Sequence, residues 1–369
     1  MHIYDYIIIG SGLTGLSIAK KISQETENIL VLEGQDVAGG TNRAVNLNGE
    51  TVSNGLRFFP ASPAGRKSIE FIESLLGQPV SLDPVENTIE TFEAGGFKKF
   101  VGFGDNPPEF YDQLSYFLAG EEMALSTPPH EWVQILARGL GNKILTKSIV
   151  TRLGFENLDS AKPALTHVVV NGTKNLYARN FIFAGPAKEL CLLLPDDVFA
   201  LRNKAKLKKC LAWQSVGLDL YHSRAFENRN LYLLDGTTDD DLGPCVGRFH
   251  GHVSQWMSFI DSEDAEDTEN IGLVLKKMKR QIKRAFPELA DAIVKERIVV
   301  SPALSGADIK LNADSTLPKV ENLWIASPQV NPYQNLLGAL MQAQLILSSL
   351  GFLASEQSAF DQIEPSVQL

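Results

Sequence analysis

Three glycines, Gly10, Gly12 and Gly15, follow an apolar run at residues 6–9, and a carboxylate, Glu33, stands 23 residues after the first of them. A G-x-G-x-x-G spacing turns a chain sharply out of a strand and into a helix. Gly10 permits the turn, Gly12 leaves room for a pyrophosphate against the backbone, and Gly15 lets the helix pack closely on the strand. A helix starting there aims free N–H groups and a favourable dipole at phosphates. Glu33 ends the stretch "NILVLE". A carboxylate in that place can accept hydrogen bonds from an adenosine ribose and repels a 2′-phosphate, which disfavours NADP.

The elements that hold these residues are legible in the hydrophobic pattern. Tyr6, Ile7, Ile8 and Ile9 suit a strand buried on both faces of a parallel sheet. Leu13, Leu16, Ile18, Ala19 and Ile22 form an apolar helix face. The expected fold class is α/β, with a Rossmann-like domain.

The unit Glu33-x5-Gly39-Gly40 resembles the second signature of the flavin amine oxidase, phytoene desaturase and protoporphyrinogen oxidase superfamily. The resemblance implies FAD as cofactor. In the family the glycine pair passes close to the pyrophosphate and an arginine follows directly. Here Thr41 and Asn42 intervene and Arg43 comes third. The next segment, "NGETVSNGLRFF", resembles the family's G-x-x-x-D-x-G-x-H-x-F, with Asn54 and Gly55 at its turn and Arg57 and Phe59 placed near the flavin. Residues 181–185 and Pro186 resemble the family's return strand, and Val150 falls where the family has backbone contacts to the adenine. "LPKVENLWIASPQVNPYQNLLGALMQAQLILSSLGF" resembles the closing unit, a strand at 323–326 and a helix beginning near Gly338-Ala339 that points at the pyrimidine end of the isoalloxazine.

The resemblance thus places Gly10, Ser11, Gly12, Leu13, Thr14 and Gly15 at the cofactor through the first turn, with Glu33 and Gly34 after the second strand. Gly39, Gly40, Thr41, Asn42 and Arg43 follow, then Gly55, Leu56, Arg57 and Phe58. Val150, Ala184 and Gly185 join from the later strands, and Ser327, Asn335, Leu336 and Ala339 from the closing unit.

Three departures shape the functional expectation. The family's closing strand ends in Gly-Asp or Gly-Glu, whose carboxylate bonds the ribityl chain; here Ala326-Ser327 stands there, with a single hydroxyl. The strand "SVGLDLY" offers Gly217, Leu218 and Asp219 where amine oxidases place a lysine near flavin N5. Asn335 is nearest the position of the family's aromatic substrate frame, with Tyr333 two residues earlier and no cysteine to tether the flavin. The expected function is an FAD-dependent oxidoreductase that removes hydride from a C–N or C–C bond of a small or apolar substrate, without lysine-assisted amine oxidation and with no catalytic residue assigned. The alternative is a non-catalytic or structural flavin-binding protein with a degraded active site; an NAD-dependent dehydrogenase gives no role to Gly39-Gly40. Phe58, Phe59, Trp213, Trp256 and Tyr333 are candidates to line an apolar pocket, though core packing is the simpler use of each.

With 369 residues, the chain is long for one core and suggests two domains, or one domain with a large insertion. Apolar residues make up 44% and charged residues 21%, as in ordinary globular proteins. The net charge of −10, with "DSEDAEDTE" as a solvated acidic loop, argues against nucleic acid as a partner. Cys191, Cys210 and Cys245 show neither metal nor disulfide spacing, and His250 and His252 are the only close histidine pair. With no cleavable signal and no apolar run of about 18 residues, a cytoplasmic protein is expected. The FAD domain is expected at 1–62, 138–200 and 296–355, a smaller α+β substrate domain at 63–137 and 201–295, and a loose tail at 356–369. Within them, 65–77 reads as a helix, 88–104 as a hairpin turning at Gly95-Gly96, and 271–293 as a long helix with a solvated basic face.

Overall fold

The computed structural model describes the chain apart from residues 159–162, 197, 199–200, 202–203, 206–212, 228–229, 236–242, 303–310, 332, 334 and 355–369. The expected tail and Cys210 lie outside the described residues.

The architecture is mixed α/β, with a discontinuous Rossmann-like unit and a separate β-rich unit. In the first sheet, strands Val150–Glu156, Ala164–Val170, Lys174–Phe183, Ile3–Ile9, Ile29–Leu32 and Ile144–Leu145 lie side by side in that order. Strand Val320–Ile325 also pairs with Lys174–Phe183, and Thr316–Leu317 pairs with Val320–Ile325. Ile3–Ile9 runs parallel to both its neighbours, Ile7 facing Phe181 on one side and Leu30 on the other. The sheet separates two apolar cores, Ile8 contributing to one and Ile7 and Ile9 to the other. Burial on both faces is why residues 6–9 show no polar alternation.

Helix Leu13–Ile22, helix Pro63–Leu76, helix Pro129–Leu140 and the closing helix Asn335–Ser349 share the Ile8 core. Pro63–Leu76 starts where the Ser62 hydroxyl accepts from the Gly65 N–H at 3.1 Å and stops at left-handed Gly77. Two of these helices lie within 63–140, a stretch read mostly as substrate domain; their apolar faces instead pack on the first layer.

The second sheet orders strands Ile293–Pro302, Trp213–Phe226, Cys245–Asp261, Leu231–Leu234, Ile89–Glu93 and Gly96–Lys99. Ile293–Pro302 therefore pairs in this sheet, although residues from 296 onward were expected in the first unit. One face is covered by the long helix Thr268–Ala285, packed on Leu218 and Trp256. The other carries Met257 and Phe259 against Leu56, Phe58 and Phe110.

Local readings are corrected at three points. The hairpin turns at Ala94-Gly95 with Glu93 opposite Gly96, one residue earlier than expected, because both turn residues take positive φ. The long helix stops at Ala285, before Pro287, which cannot continue it. Its basic face is not wholly solvated, since Lys277 is buried and its ammonium donates to the Gly243 carbonyl. No described helix is long and apolar enough to cross a membrane.

Candidate cofactor and active site

The three turn glycines do different work. Gly10 takes φ +106°, and its N–H donates to the Leu32 carbonyl at 2.8 Å. A Cβ there would stand 3.1 Å from the Ala184 carbonyl, and a Cβ on Gly15 only 2.1 Å from the Gly10 oxygen. Both positions are closed by backbone. Gly12 is open: a Cβ on it meets nothing within 4 Å. The 39–40 pair is brought against this opening, the Gly39 N–H donating to the Ser11 carbonyl at 2.9 Å. Gly40 (φ +56°) passes so near that a Cβ on it would stand 3.0 Å from Gly12 Cα. The Thr14 hydroxyl donates to the Ala339 carbonyl at 3.1 Å and draws the closing helix to the same place.

Glu33 is buried and already engaged. Its Oε2 accepts from the Ser11 N–H at 3.0 Å and the Ser11 hydroxyl at 2.5 Å, and its Oε1 from the Gln35 N–H at 2.8 Å. Counting two lone pairs per oxygen, Oε2 is full and Oε1 keeps one site for a ribose hydroxyl. The carboxylate is first a clamp on the turn, a role that spacing alone did not show. The Ser148 N–H donates to the Glu33 carbonyl at 2.8 Å, and Ile149 Cγ1 lies 3.4 Å from a Cβ on Gly34. The strand entering Val150 thus borders Glu33 and Gly34.

The closing helix begins at Asn335, three residues before the expected start. Asn331 organises its entry, with Oδ1 accepting from the Tyr333 N–H at 2.8 Å and Nδ2 donating to the Gly338 carbonyl at 2.9 Å. The path is so tight that a Cβ on Gly338 would stand 2.2 Å from the Tyr333 oxygen. Gln342 Nε2 donates to the Ile325 carbonyl at 2.8 Å, fastening the helix to its strand. Ser327 is wholly buried, and among the described residues its hydroxyl has no hydrogen-bond partner. An orphaned buried hydroxyl costs free energy unless a ligand satisfies it. The opening at Gly12 and this hydroxyl are compatible with a bound dinucleotide. Leu13 and Leu336 bury their side chains in the core, which leaves only their backbones to a ligand.

Arg57, rather than Arg43, lies across the residues after the glycine pair. Its Nε donates to Asn42 Oδ1 at 3.0 Å, Nη2 to the Thr41 carbonyl and to the Asn54 carbonyl at 2.7 Å, and Nη1 to the Leu56 carbonyl at 3.0 Å. Burial pushes its pKa down to about 10, opposed by nearby Asp219. Asp219, on the strand searched for a lysine, is wholly buried. It accepts from Arg297 at 2.9 Å and from Gln255 at 3.0 Å, and burial raises its pKa against both. Gln255 also donates to the Ser53 carbonyl at 2.9 Å, and Arg297 to Asn54 Oδ1 at 2.5 Å. This network joins the segment at 41–57, with its antiparallel strands Ala44–Leu47 and Glu50–Ser53, to the second sheet. No motif marks Arg297 or Gln255; the signal for them is an acid inside the apolar strand "SVGLDLY", which demands partners once buried.

Leu56 and Phe58 pack in an apolar core, and the Tyr116 hydroxyl donates to the Phe58 carbonyl at 2.5 Å. Phe59 and Trp256 are core residues, whereas Trp213 lines a cavity of about 470 Å³ with Phe110, Phe259 and Leu273. His252 caps the His222 carbonyl at 3.0 Å and stacks on Tyr221.

Residues 8–75 match the model of the NAD(P)-binding Rossmann-like domain family. Over 186 residues the chain is 25% identical to all-trans-retinol 13,14-reductase of Danio rerio, a match covering 46% of this chain and 30% of that protein. It thus spans under a third of that relative's length. Among solved structures, an oxidoreductase from Methanosarcina mazei superposes with a TM-score of 0.66 at 12% identity, over 93% of this chain and 99% of that one. Putrescine oxidase bound to putrescine gives 0.63 at 12% identity, over 95% and 99%.

Proposed function

From a chain that carries the fold of the flavin amine oxidase and protoporphyrinogen oxidase superfamily, we propose an FAD-dependent oxidoreductase that removes hydride from a C–N or C–C bond of a small molecule. The observation that carries the reading is the opening at Gly12, bordered by Gly40 and the closing helix, with the orphaned Ser327 hydroxyl on the closing strand. Bound FAD would supply a hydride acceptor.

The chain's own residues do the rest. Ser11 and Glu33 hold the turn in shape for the adenosine half, and the open face of Gly12 with Gly39 and Gly40 receives the pyrophosphate. Ser327 would hold the ribityl chain through its hydroxyl. The first turn of the closing helix presents backbone N–H groups to the ring, favouring negative charge there. The second sheet, anchored through Asn54, Arg297, Asp219 and Gln255, would cover a bound ring and exclude water from it. Asp219 in the place of a lysine, tied to Arg297, argues against a lysine-held water. This is a cytoplasmic enzyme in the same reading.

The test is the absorbance spectrum of freshly purified protein, followed by extraction of its ligand and anaerobic addition of a reductant to one sample and of candidate substrates to another. Flavin bands at one FAD per chain that bleach on reduction support the proposal, and a colourless protein that takes up no FAD refutes it. Bands that no substrate bleaches favour a structural flavin, the reading that Ser327 in place of an acid also supports.

A further inference from the structure

Buried charge does not balance where the second sheet meets residues 54–58. Asp219 and Arg297 are register partners on adjacent strands, joined at 2.9 Å. Arg57 lies within electrostatic reach of both. Two guanidinium groups therefore share one carboxylate. The next ion pair on this face, Arg248 with Glu122 at 3.0 Å, neutralises itself. Glu50, bonded by the Tyr221 hydroxyl, and Lys295, opposite Tyr221, add one charge of each sign farther out. One positive charge is left over on two partly covered arginines, and charge shielded from water is costly unless paired.

The two arginines are not equally available. Arg57 spends its donors on Asn42, Thr41, Asn54 and Leu56. It can lend charge but not a free fork. Arg297 gives Nη1 to Asp219 and Nη2 to Asn54 but has N–H donors left over, and its side chain is 25% exposed while Asp219 is fully covered. Arg248 Nε is buried and, among the described residues, has no partner.

We propose that the substrate carries a carboxylate, received by the outer edge of Arg297 and balanced by the charge of Arg57. This rests on the flavin reading above. A guanidinium fork matches a carboxylate with two parallel bonds. The same excess repels a diamine. The cofactor's own phosphates are a poorer match, because they belong beside Gly12 and Gly40 on the first sheet, whereas Arg297 stands on the second.

The experiment titrates the purified flavoprotein with benzoate, benzylamine and benzyl alcohol, reading the flavin absorbance and, independently, calorimetric heat. Saturable benzoate binding with no benzylamine binding at equal concentration is expected. Arg297→Gln should weaken benzoate about tenfold or more, as loss of a bidentate ion pair does. Arg297→Lys, which keeps charge without the fork, should recover part of it, and both should retain FAD. Benzylamine preferred over benzoate, or benzoate binding indifferent to Arg297, overturns the proposal. So does loss of FAD in Arg297→Gln with no benzoate binding in the wild type, which assigns the charge to the cofactor. If Arg297→Gln does not fold, the Arg297→Lys variant and the wild-type comparison still decide. A protein that holds no flavin fails the underlying reading instead, a separate result seen before any titration.

Discussion

The Glu33 carboxylate grips Ser11 twice, accepting from its backbone N–H at 3.0 Å and its hydroxyl at 2.5 Å. Removing that grip affects the empty protein as well as the liganded one. Glu33→Ala leaves the Ser11 and Gln35 N–H groups without their acceptor, and an unsatisfied buried donor costs about 1–3 kcal/mol. The expected outcome is a lower melting temperature for ligand-stripped protein, alongside FAD binding weakened by about 1–3 kcal/mol through lost ribose contacts. Thermal melts of apo wild type and variant check it. Equal melting temperatures would make Glu33 a ribose ligand only.

Gly12→Val separates binding from folding. Gly12 has φ −69°, open to any residue, and a Cβ there touches nothing. The variant should keep wild-type stability within about 0.5 kcal/mol and bind no FAD, because its side chain fills the phosphate space. Gly15→Ala should instead fail to fold, with its Cβ 2.1 Å from the Gly10 oxygen. Urea unfolding and FAD titration of the Gly12 variant give the answer; stoichiometric flavin in it would move the pyrophosphate elsewhere.

What was legible in the sequence was local. The Gly10, Gly12 and Gly15 spacing follows from backbone sterics within a few residues. Helix Pro63–Leu76 was legible as an amphipathic helix from Ile69, Phe71, Ile72 and Leu75, but the layer it packs on was not. Its Ser68 hydroxyl meets Gln344, 276 residues away. Periodicity shows that a face must be buried, not against what. The candidate site divides likewise. The glycines that meet at Gly12 could be placed from motifs. The Asp219–Arg297–Asn54 network joins three distant segments by side-chain geometry, which leaves no spacing to read.

Acid should loosen the second sheet through His222. This residue is wholly buried, with Nε2 2.9 Å from the Ser254 hydroxyl and Nδ1 without a partner among the described residues. Burial, and secondarily His252, push its pKa down to about 4 from 6.5. The folded state therefore prefers the neutral ring. That stabilisation is complete above about pH 6.5 and is lost as pH falls toward 4, amounting to about 2 kcal/mol at pH 5. Urea unfolding at pH 7 and pH 5 should show the loss, and His222→Leu should flatten it. An equal slope in the variant would assign the pH dependence to other groups.

Ser327→Asp should act in opposite directions on the two forms of the protein. The Ser327 site is fully buried, and its hydroxyl has no partner among the described residues. Without ligand, a carboxylate there has no donor to meet it, and burying unpaired charge is unfavourable. The apo variant should therefore melt below the wild type. With FAD bound, ribityl hydroxyls can donate to the new carboxylate, and a charged acceptor holds a hydroxyl more strongly than a serine does. The gain should be tenfold or less, about 1.4 kcal/mol, because repulsion from the cofactor phosphates and the adjoining Pro328 limit it. Titration of apoprotein with FAD by flavin fluorescence, at matched salt, measures the second effect, and thermal melts the first. Destabilisation with tighter binding supports the closing strand as the ribityl site. Destabilisation with no change in affinity would show that Ser327 is buried for packing alone, and that the cofactor runs along another edge of the sheet.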